Sequence, residues 1–242
     1  MRDSEGRLFW GLVVIGLGVA LGGLLIGHGF AQGRLTEHYV TVKGVSEREV
    51  QADLAIWPLQ VIAADNNLAS ANAQLARGVA GVHQFMARHG LDTTQIAVTG
   101  YNVEDAATNQ YASGPARNRF VIRQTLVIRS TRPDQVLAAS QRVSELATAG
   151  VAISSAGGTE GPTFVFTKLN DLKPAMIAEA TARAREAAEQ FAKDADSRLA
   201  GIRRANQGVF EILARDQAPG ISESGQIAKT VRVVSTVEYS LD

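Results

Sequence analysis

The sequence predicts an α+β fold: a mixed or antiparallel β-sheet of about seven strands packed with three helices, the third long and rich in alanine, behind an N-terminal transmembrane or signal helix. Three observations predict it. An uncharged apolar run from Leu8 to Ile26 opens the chain. Segments with a two-residue hydrophobic period follow, as expected of half-buried strands. Segments with a helical period lie between pairs of those strands, which is typical of helices packed on a sheet.

The apolar run is long enough to cross a membrane. At helical rise it reaches roughly 28 Å, close to the roughly 30 Å hydrocarbon core of a bilayer. We therefore predict a retained anchor within residues 1–31, with the lipid bilayer as the partner of Leu8–Ile26. The alternative is a signal segment cleaved before Gln32, after the small-x-small sequence from Gly29 to Ala31. In both cases the rest of the chain is exported, with residues 32–38 as a connector and residues 39–242 as one domain.

The apolar run also carries glycines at a spacing that lets two such helices pack closely in lipid. They are Gly18, Gly22, Gly23 and Gly27. Such spacing is common in apolar spans, so a run without a pairing role is the alternative.

Composition excludes several classes of function. The chain has 24 basic and 24 acidic residues and a formal net charge of zero, so no basic surface indicates a nucleic-acid partner. It has no cysteine, which excludes disulfides, thiol redox chemistry and thiolate metal sites.

The first half of the domain alternates strands and helices. "YVTVKGV" (39–45) and the stretch from Val50 to Asp65 have the strand period, and Pro58 predicts a local edge or bulge in the second strand. A helix capped by Asp65 or Asn66 runs to Arg88. Two strands follow, "QIAVTGYNVEDA" and "RNRFVIRQTLVIRST", joined by a turn-rich hairpin tip.

The second half repeats this alternation. Pro133 opens a helix that extends to about Ala149, and an extended segment broken by glycines follows. The long alanine-rich helix is predicted from about Asp171 to Leu199. The strands "GVFEILAR" and "TVRVVSTVEYSL" end the chain.

No motif for catalysis stands out. No G-x-S-x-G elbow or phosphate-binding loop is present, and His28, His38, His83 and His89 do not have a metal-ligand spacing. We therefore predict no catalytic residue, no cofactor and no metal. Acidic neighbours occur at Glu104–Asp105 and at Asp194 and Asp196, and we interpret them as solvated charges. Tyr101 and Tyr111 flank the hairpin tip and are interpreted as rings covering a sheet edge, with ligand or partner contacts as the alternative.

One strand face is unusually basic. Arg119, Arg123 and Arg129 lie on it at a two-residue period and repel one another unless acidic groups meet them. These acids could come from a second subunit, which makes the face a candidate assembly surface. Acids from adjacent strands of the same chain are the alternative.

Several segments together resemble the SIMPL-domain family of exported bacterial envelope proteins. They are "VKGVSEREVQADLA", "FMARHGLDTTQI" before "VTGYNV", "RFVIRQTLVIR" before "PDQVLAAS", and "TFVFTKLNDLKPAMIAEATARAREAAEQFAKDADSRLAGI". The resemblance implies an α+β domain in the periplasm or cell envelope. The family includes an oxidative-stress-defence protein and outer-membrane immunogenic proteins, and some of its members are thought to form ring-like oligomers. It brings no catalytic residues.

These observations lead to a functional hypothesis. We expect a non-enzymatic, single-pass protein of the bacterial inner membrane, with a periplasmic SIMPL-like domain that acts by binding or homo-oligomeric assembly, in envelope or oxidative stress defence. With cleavage, the domain would be soluble in the periplasm or associated with the outer membrane. Two alternatives stay open: a hydrolase that uses Glu104 and Asp105, and a binder of small apolar ligands. The sequence does not identify a small-molecule ligand.

Overall fold

The computed structural model describes residues 15–27, 38–108, 118–155 and 161–242. Its strands are β1 (Tyr39–Gln51), β2 (Leu54–Asp65), β3 (Ile96–Asp105), β4 (Phe120–Ser130), β5 (Ile153–Ser155), β6 (Thr163–Val165), β7 (Leu199–Gln207), β8 (Glu211–Ala214) and β9 (Ala228–Leu241). Its helices are α1 (15–27), α2 (Leu68–Arg88), α3 (Pro133–Ser140), α4 (Ser144–Thr148) and α5 (Leu169–Asp194). The predicted α+β class is confirmed.

The strands form two sheets instead of the single one predicted. One has the order β1-β9-β7, with β8 also pairing with β9, and the other has the order β3-β4-β2-β5, with β6 also pairing with β2. The chain divides into two compact units. The first consists of the described residues up to Val45 with Ile177–Gly208 and Val234–Asp242, and the second of Ser46–Met176 and Val209–Val233.

In the second unit, α2 packs on the five-stranded sheet because each presents one apolar face. Every second residue of β2 is buried, and α2 buries residues at helical spacing. Asn67 caps the helix, since its side chain accepts a hydrogen bond from the backbone N–H of Ser70 at 3.1 Å. The core formed in this way includes Trp57, Leu59, Val61, Leu75, Val82, Phe85, Ile122, Leu126 and Ile128.

In the first unit, α5 lies directly against β1. Ala180, Ala184 and Ala188 are fully buried, and their spacing of four residues keeps them on one helix face. At Gly44 in β1, a Cβ atom would overlap the carbonyl oxygen of Ala180. The alanine-rich sequence of α5 is therefore a packing requirement, because larger side chains would hold the helix away from the strand.

Pro58 is accommodated by a gap in strand pairing. β2 lies inside the sheet, between β4 on one side and the short strands β5 and β6 on the other. β6 pairs with Leu54–Ile56 and β5 with Leu59–Val61, so neither of these short strands pairs with Pro58. The local edge predicted from Pro58 exists at this gap. Because no strand pairs with Pro58 on this side, the N–H that proline lacks is not needed for a hydrogen bond there.

Several elements differ from the prediction. The helix predicted from Pro133 to Ala149 is divided into α3 and α4. The long helix ends at Asp194 and not at Leu199, because Asp196 has a φ of 50° and the chain turns there into β7. β7 itself was not predicted, since most of its residues are exposed and its sequence has no two-residue apolar period.

The N-terminal span of the predicted fold is not seen. Residues 8–14 of the apolar run lie outside the described residues, and residues 15–27 form α1. Within the described ranges, no helix is long and apolar enough to cross a membrane.

Candidate functional site

Two of the three arginines on the basic face are paired with carboxylates of the neighbouring strand. Arg119 donates from Nε and Nη2 to the two carboxylate oxygens of Asp105, at 3.2 and 3.1 Å. Arg123 donates from Nη1 to Glu104 at 2.8 Å. These contacts exist because β3 and β4 are antiparallel neighbours, which places Glu104 and Asp105 beside the start of β4. The structure thus provides the acids from the same chain, and the assembly role predicted for these arginines stays a prediction.

The same contacts bear on the carboxylate chemistry considered above. Hydrogen bonds from the Arg119 side chain and from the backbone N–H of Ala107 hold the pKa of Asp105 below its usual value. A general acid in a carboxylate pair needs the opposite shift, towards a raised pKa. The geometry therefore favours a structural role for Glu104 and Asp105 over hydrolysis.

Arg129 differs from the other two arginines. It is exposed near the end of β4, opposite Ile56 of β2. Within the described part of the chain, no carboxylate forms an ion pair with it.

The outer edge of β3 is an exposed apolar strand surface of the second unit. β3 is terminal in its sheet, and no strand of the described chain pairs with its outer side. Val98, Tyr101 and Val103 are 60%, 56% and 41% exposed. An apolar edge of this length is a template for strand addition.

A bulge aligns these apolar side chains on one face. The pairing register of β3 with β4 shifts between Val98 and Gly100, so Val98 opposes Leu126 and Tyr101 opposes Gln124. Without the extra residue, Val98 and Tyr101 would lie on opposite faces of the sheet. The hydroxyl of Tyr101 donates to the side-chain oxygen of Asn72 on α2 at 3.2 Å, which orients the ring. Tyr101 stands out in the sequence but the two valines do not, because the bulge breaks the two-residue period that would have grouped the three side chains.

The other predicted positions are dispersed. Tyr111, His28 and residues 28–37 lie outside the described residues. Gly18, Gly22, Gly23 and Gly27 are on α1, where a Cβ atom on any of them would meet nothing within 4 Å, so their pairing role stays a prediction. The Nε2 atom of His89 lies 3.3 Å from Oε2 of Glu145. Across the described ranges, no group of three or more His, Asp or Glu is placed to hold a metal ion.

One cleft with a partly apolar lining is small. It has a volume of about 190 Å³ and is lined by Trp57, Pro58, Leu59, Ser140, Val143, Ile153, Ser154 and Gly161. Ligand pockets commonly have volumes of about 300–1,000 Å³. The size of this cleft therefore does not favour the apolar-ligand alternative.

One buried charge was not found from the sequence. The side chain of Lys229 in β9 is fully buried, and its Nζ donates to the backbone carbonyl of Glu223 at 2.7 Å and pairs with the Glu223 carboxylate. Lys229 shares a strand face with Val231 and Val233. The two-residue period of β9 could therefore have indicated that the Lys229 side chain is buried. The pair ties the turn at Glu223 to the strand.

The family of the chain follows from its sequence. Residues 40–239 match the family model described as "SIMPL: Protein of unknown function (DUF541)". The protein is thus an α+β protein with a SIMPL domain. The chain belongs to the SIMPL family.

The other comparisons add little. No curated protein matches the sequence. The chain is similar to the regulatory subunit of aspartate kinase from Thermus thermophilus in its ligand-free form, with 13% identity over 79% of this chain and 87% of that chain and a TM-score of 0.19. It is also similar to an uncharacterized conserved protein from Listeria innocua, with 11% identity over 78% of this chain and 91% of that chain and a TM-score of 0.19. At these TM-scores neither likeness carries an argument.

Proposed function

We propose that this chain is a non-enzymatic protein of the cell envelope whose SIMPL domain works by binding and homo-oligomeric assembly, in envelope or oxidative stress defence. The observation that carries the assembly is the free apolar edge of β3. The partner is a second copy of the chain, paired edge to edge through β3.

The composition of β3 supports pairing. From Ile96 to Val103 the strand has no charged residue and no proline, which are the residues that commonly protect an exposed edge from other strands. The two charges at its end, Glu104 and Asp105, are already paired with arginines of the same chain. A second copy therefore meets little unpaired charge on this edge.

The bulge and the side chains select a register. The bulge leaves Gly100–Asp105 as the longer regular part of the edge. An antiparallel pair with its twofold axis at Asn102 places Tyr101 of each copy opposite Val103 of the other, and aromatic pairs with β-branched residues are favourable across strands. The same register places Glu104 opposite Gly100, so no like charges meet.

Charge placed on both members of this cross-strand pair tests the assembly. The double variant Tyr101→Lys, Val103→Lys brings ammonium groups into direct opposition at two places in the pair, which is destabilising. In native mass spectrometry of the full chain in detergent micelles, we expect wild type at a multiple of 25.7 kDa and the variant at the mass of one chain.

A control variant separates interface from charge. Gln84→Lys, Ala138→Lys adds the same charge on exposed helix positions away from β3 and is expected to keep the oligomer. A wild-type chain at the mass of one protomer, or equal masses for the two double variants, contradicts assembly through β3.

The envelope location rests on the N-terminal sequence. The apolar run from Leu8 to Ile26 carries no charge and is long enough in sequence to cross a bilayer, which supports a position in the bacterial inner membrane with the domain in the periplasm. Cell fractionation with intact-mass measurement is expected to recover the chain from the membrane, or, after cleavage, from the soluble periplasm or the outer membrane. Recovery of the full-length chain from the cytoplasm contradicts this part of the proposal.

A further inference from the structure

A polar cleft lies in the second unit where β4 ends and α3 begins. Its volume is about 380 Å³, within the range of small-molecule sites. The end of β4, the turn that follows it and the segment after α2 form its walls. Its lining includes Asp92, Arg129, Ser130, Thr131, Arg132 and Gln135.

Two arginines, Arg129 and Arg132, line this cleft, and their side chains have different partners. Arg129 has no carboxylate partner in the described chain, as shown above. Arg132 donates from Nη1 to the side-chain oxygen of Gln135 at 3.3 Å, and its backbone N–H donates to the hydroxyl of Ser130 at 3.1 Å. Gln135 is neutral, so the charge of Arg132 is oriented by this contact but not neutralised by it.

A single carboxylate, Asp92, also lines the cleft. It accepts hydrogen bonds from the hydroxyl and the backbone N–H of Thr94, at 2.7 and 2.9 Å. These bonds, together with the field of Arg132, hold its pKa below the usual value, so it is ionised at neutral pH. The cleft therefore presents two positive charges and one negative charge.

We propose that this cleft binds a small, singly charged carboxylate between the guanidinium groups of Arg129 and Arg132. Guanidinium groups bind carboxylates through paired N–H donors, and the Thr131 hydroxyl offers a further donor. The net charge of plus one is neutralised by a monoanion, whereas a phosphate dianion leaves one negative charge uncompensated and loses more hydration on entering the cleft. The inference goes beyond the proposed assembly and does not rest on it, since it involves neither the edge of β3 nor a second copy.

Titration with a defined carboxylate tests the proposal. The probe is N-acetylalanine, added to the full-length isotope-labelled chain in detergent micelles, and the readout is the NMR signals of the arginine Nε–Hε groups. We expect saturable shifts of the Arg129 and Arg132 signals at millimolar probe. In Arg129→Gln the dissociation constant should rise about tenfold, as for loss of one charge-assisted contact. Arg132→Gln is a second variant with the same expected direction.

Matched controls decide the outcome. Arg142→Gln removes an exposed arginine between α3 and α4, outside the cleft, and should leave the dissociation constant unchanged. Inorganic phosphate at the same ionic strength should bind more weakly than the carboxylate. The proposal is overturned by shifts that do not saturate, by equal affinities of Arg129→Gln and Arg142→Gln, or by tighter binding of phosphate.

Discussion

Gly44→Ala is expected to destabilise the first unit by about 3 kcal/mol, the upper end of typical overpacking costs. The new methyl group would overlap the carbonyl oxygen of Ala180 in α5. A backbone atom in the middle of a helix cannot move aside as a flexible side chain can, so α5 and β1 must separate. That separation would open the packing of Ala184 and Ala188 on β1 and β9.

Chemical unfolding followed by far-UV circular dichroism measures the effect. Gly201→Ala is the matched control, because this glycine is also in a strand of the first unit and a Cβ atom there meets nothing within 4 Å. We expect it to be neutral or slightly stabilising, since alanine reduces the conformational entropy of the unfolded chain. Equal stability of the two variants would show that α5 does not lie directly on β1.

Glu223→Ala is expected to destabilise the second unit by about 1.5–3 kcal/mol, the range for a hydrogen bond to a charged group, because the Lys229 ammonium is buried while the Glu223 carboxylate is partly exposed. In the variant, the buried ammonium of Lys229 loses the carboxylate and keeps its hydrogen bond to the backbone carbonyl of Glu223. An uncompensated charge inside a protein costs far more than the pair contributes when intact. Unfolding in urea, followed by the fluorescence of the buried Trp57 in a background with Trp10→Phe, reports on this unit.

Lys229→Met distinguishes a buried charge from simple loss of contact. Methionine has a similar length and no charge, so replacing the buried ammonium is expected to be neutral or stabilising. In the double variant with Glu223→Ala, most of the cost of Glu223→Ala should disappear. A large cost for Lys229→Met with little cost for Glu223→Ala would contradict this account of the pair.

The strands and helices with regular apolar periods could be predicted from the sequence. This group consists of β1, β2, β4, β9 and α2. Each of them buries one face in a core, so its apolar residues recur at a regular spacing that can be recognised within the segment itself. β7 has no such period because most of its residues are exposed, and it is held by pairing with β9. The division into two sheets depends on which strands pair over long separations, and a hydrophobic period does not specify the partner strand.

The candidate site could be predicted only in part. The basic face of β4 and the adjacent acids were visible in the sequence, but their mutual pairing depends on the register of β3 with β4. The exposure of Val98 and Val103 depends on β3 being a terminal strand, which is a property of the sheet order. The cleft near Arg129 brings together residues from three separate segments, and no local spacing indicates that they meet.

Disulfide cross-linking of Asn102→Cys tests the central claim, assembly through β3, most directly. The native chain has no cysteine, so the variant carries a single thiol. At the twofold axis of the proposed register, the two copies of residue 102 lie about 4.5–5.5 Å apart between α-carbons, within the range of a disulfide. On mild oxidation we expect a covalent dimer of Asn102→Cys and none of Gln84→Cys, whose thiol is exposed on α2. Equal cross-linking of the two variants, or none in either, would contradict the account.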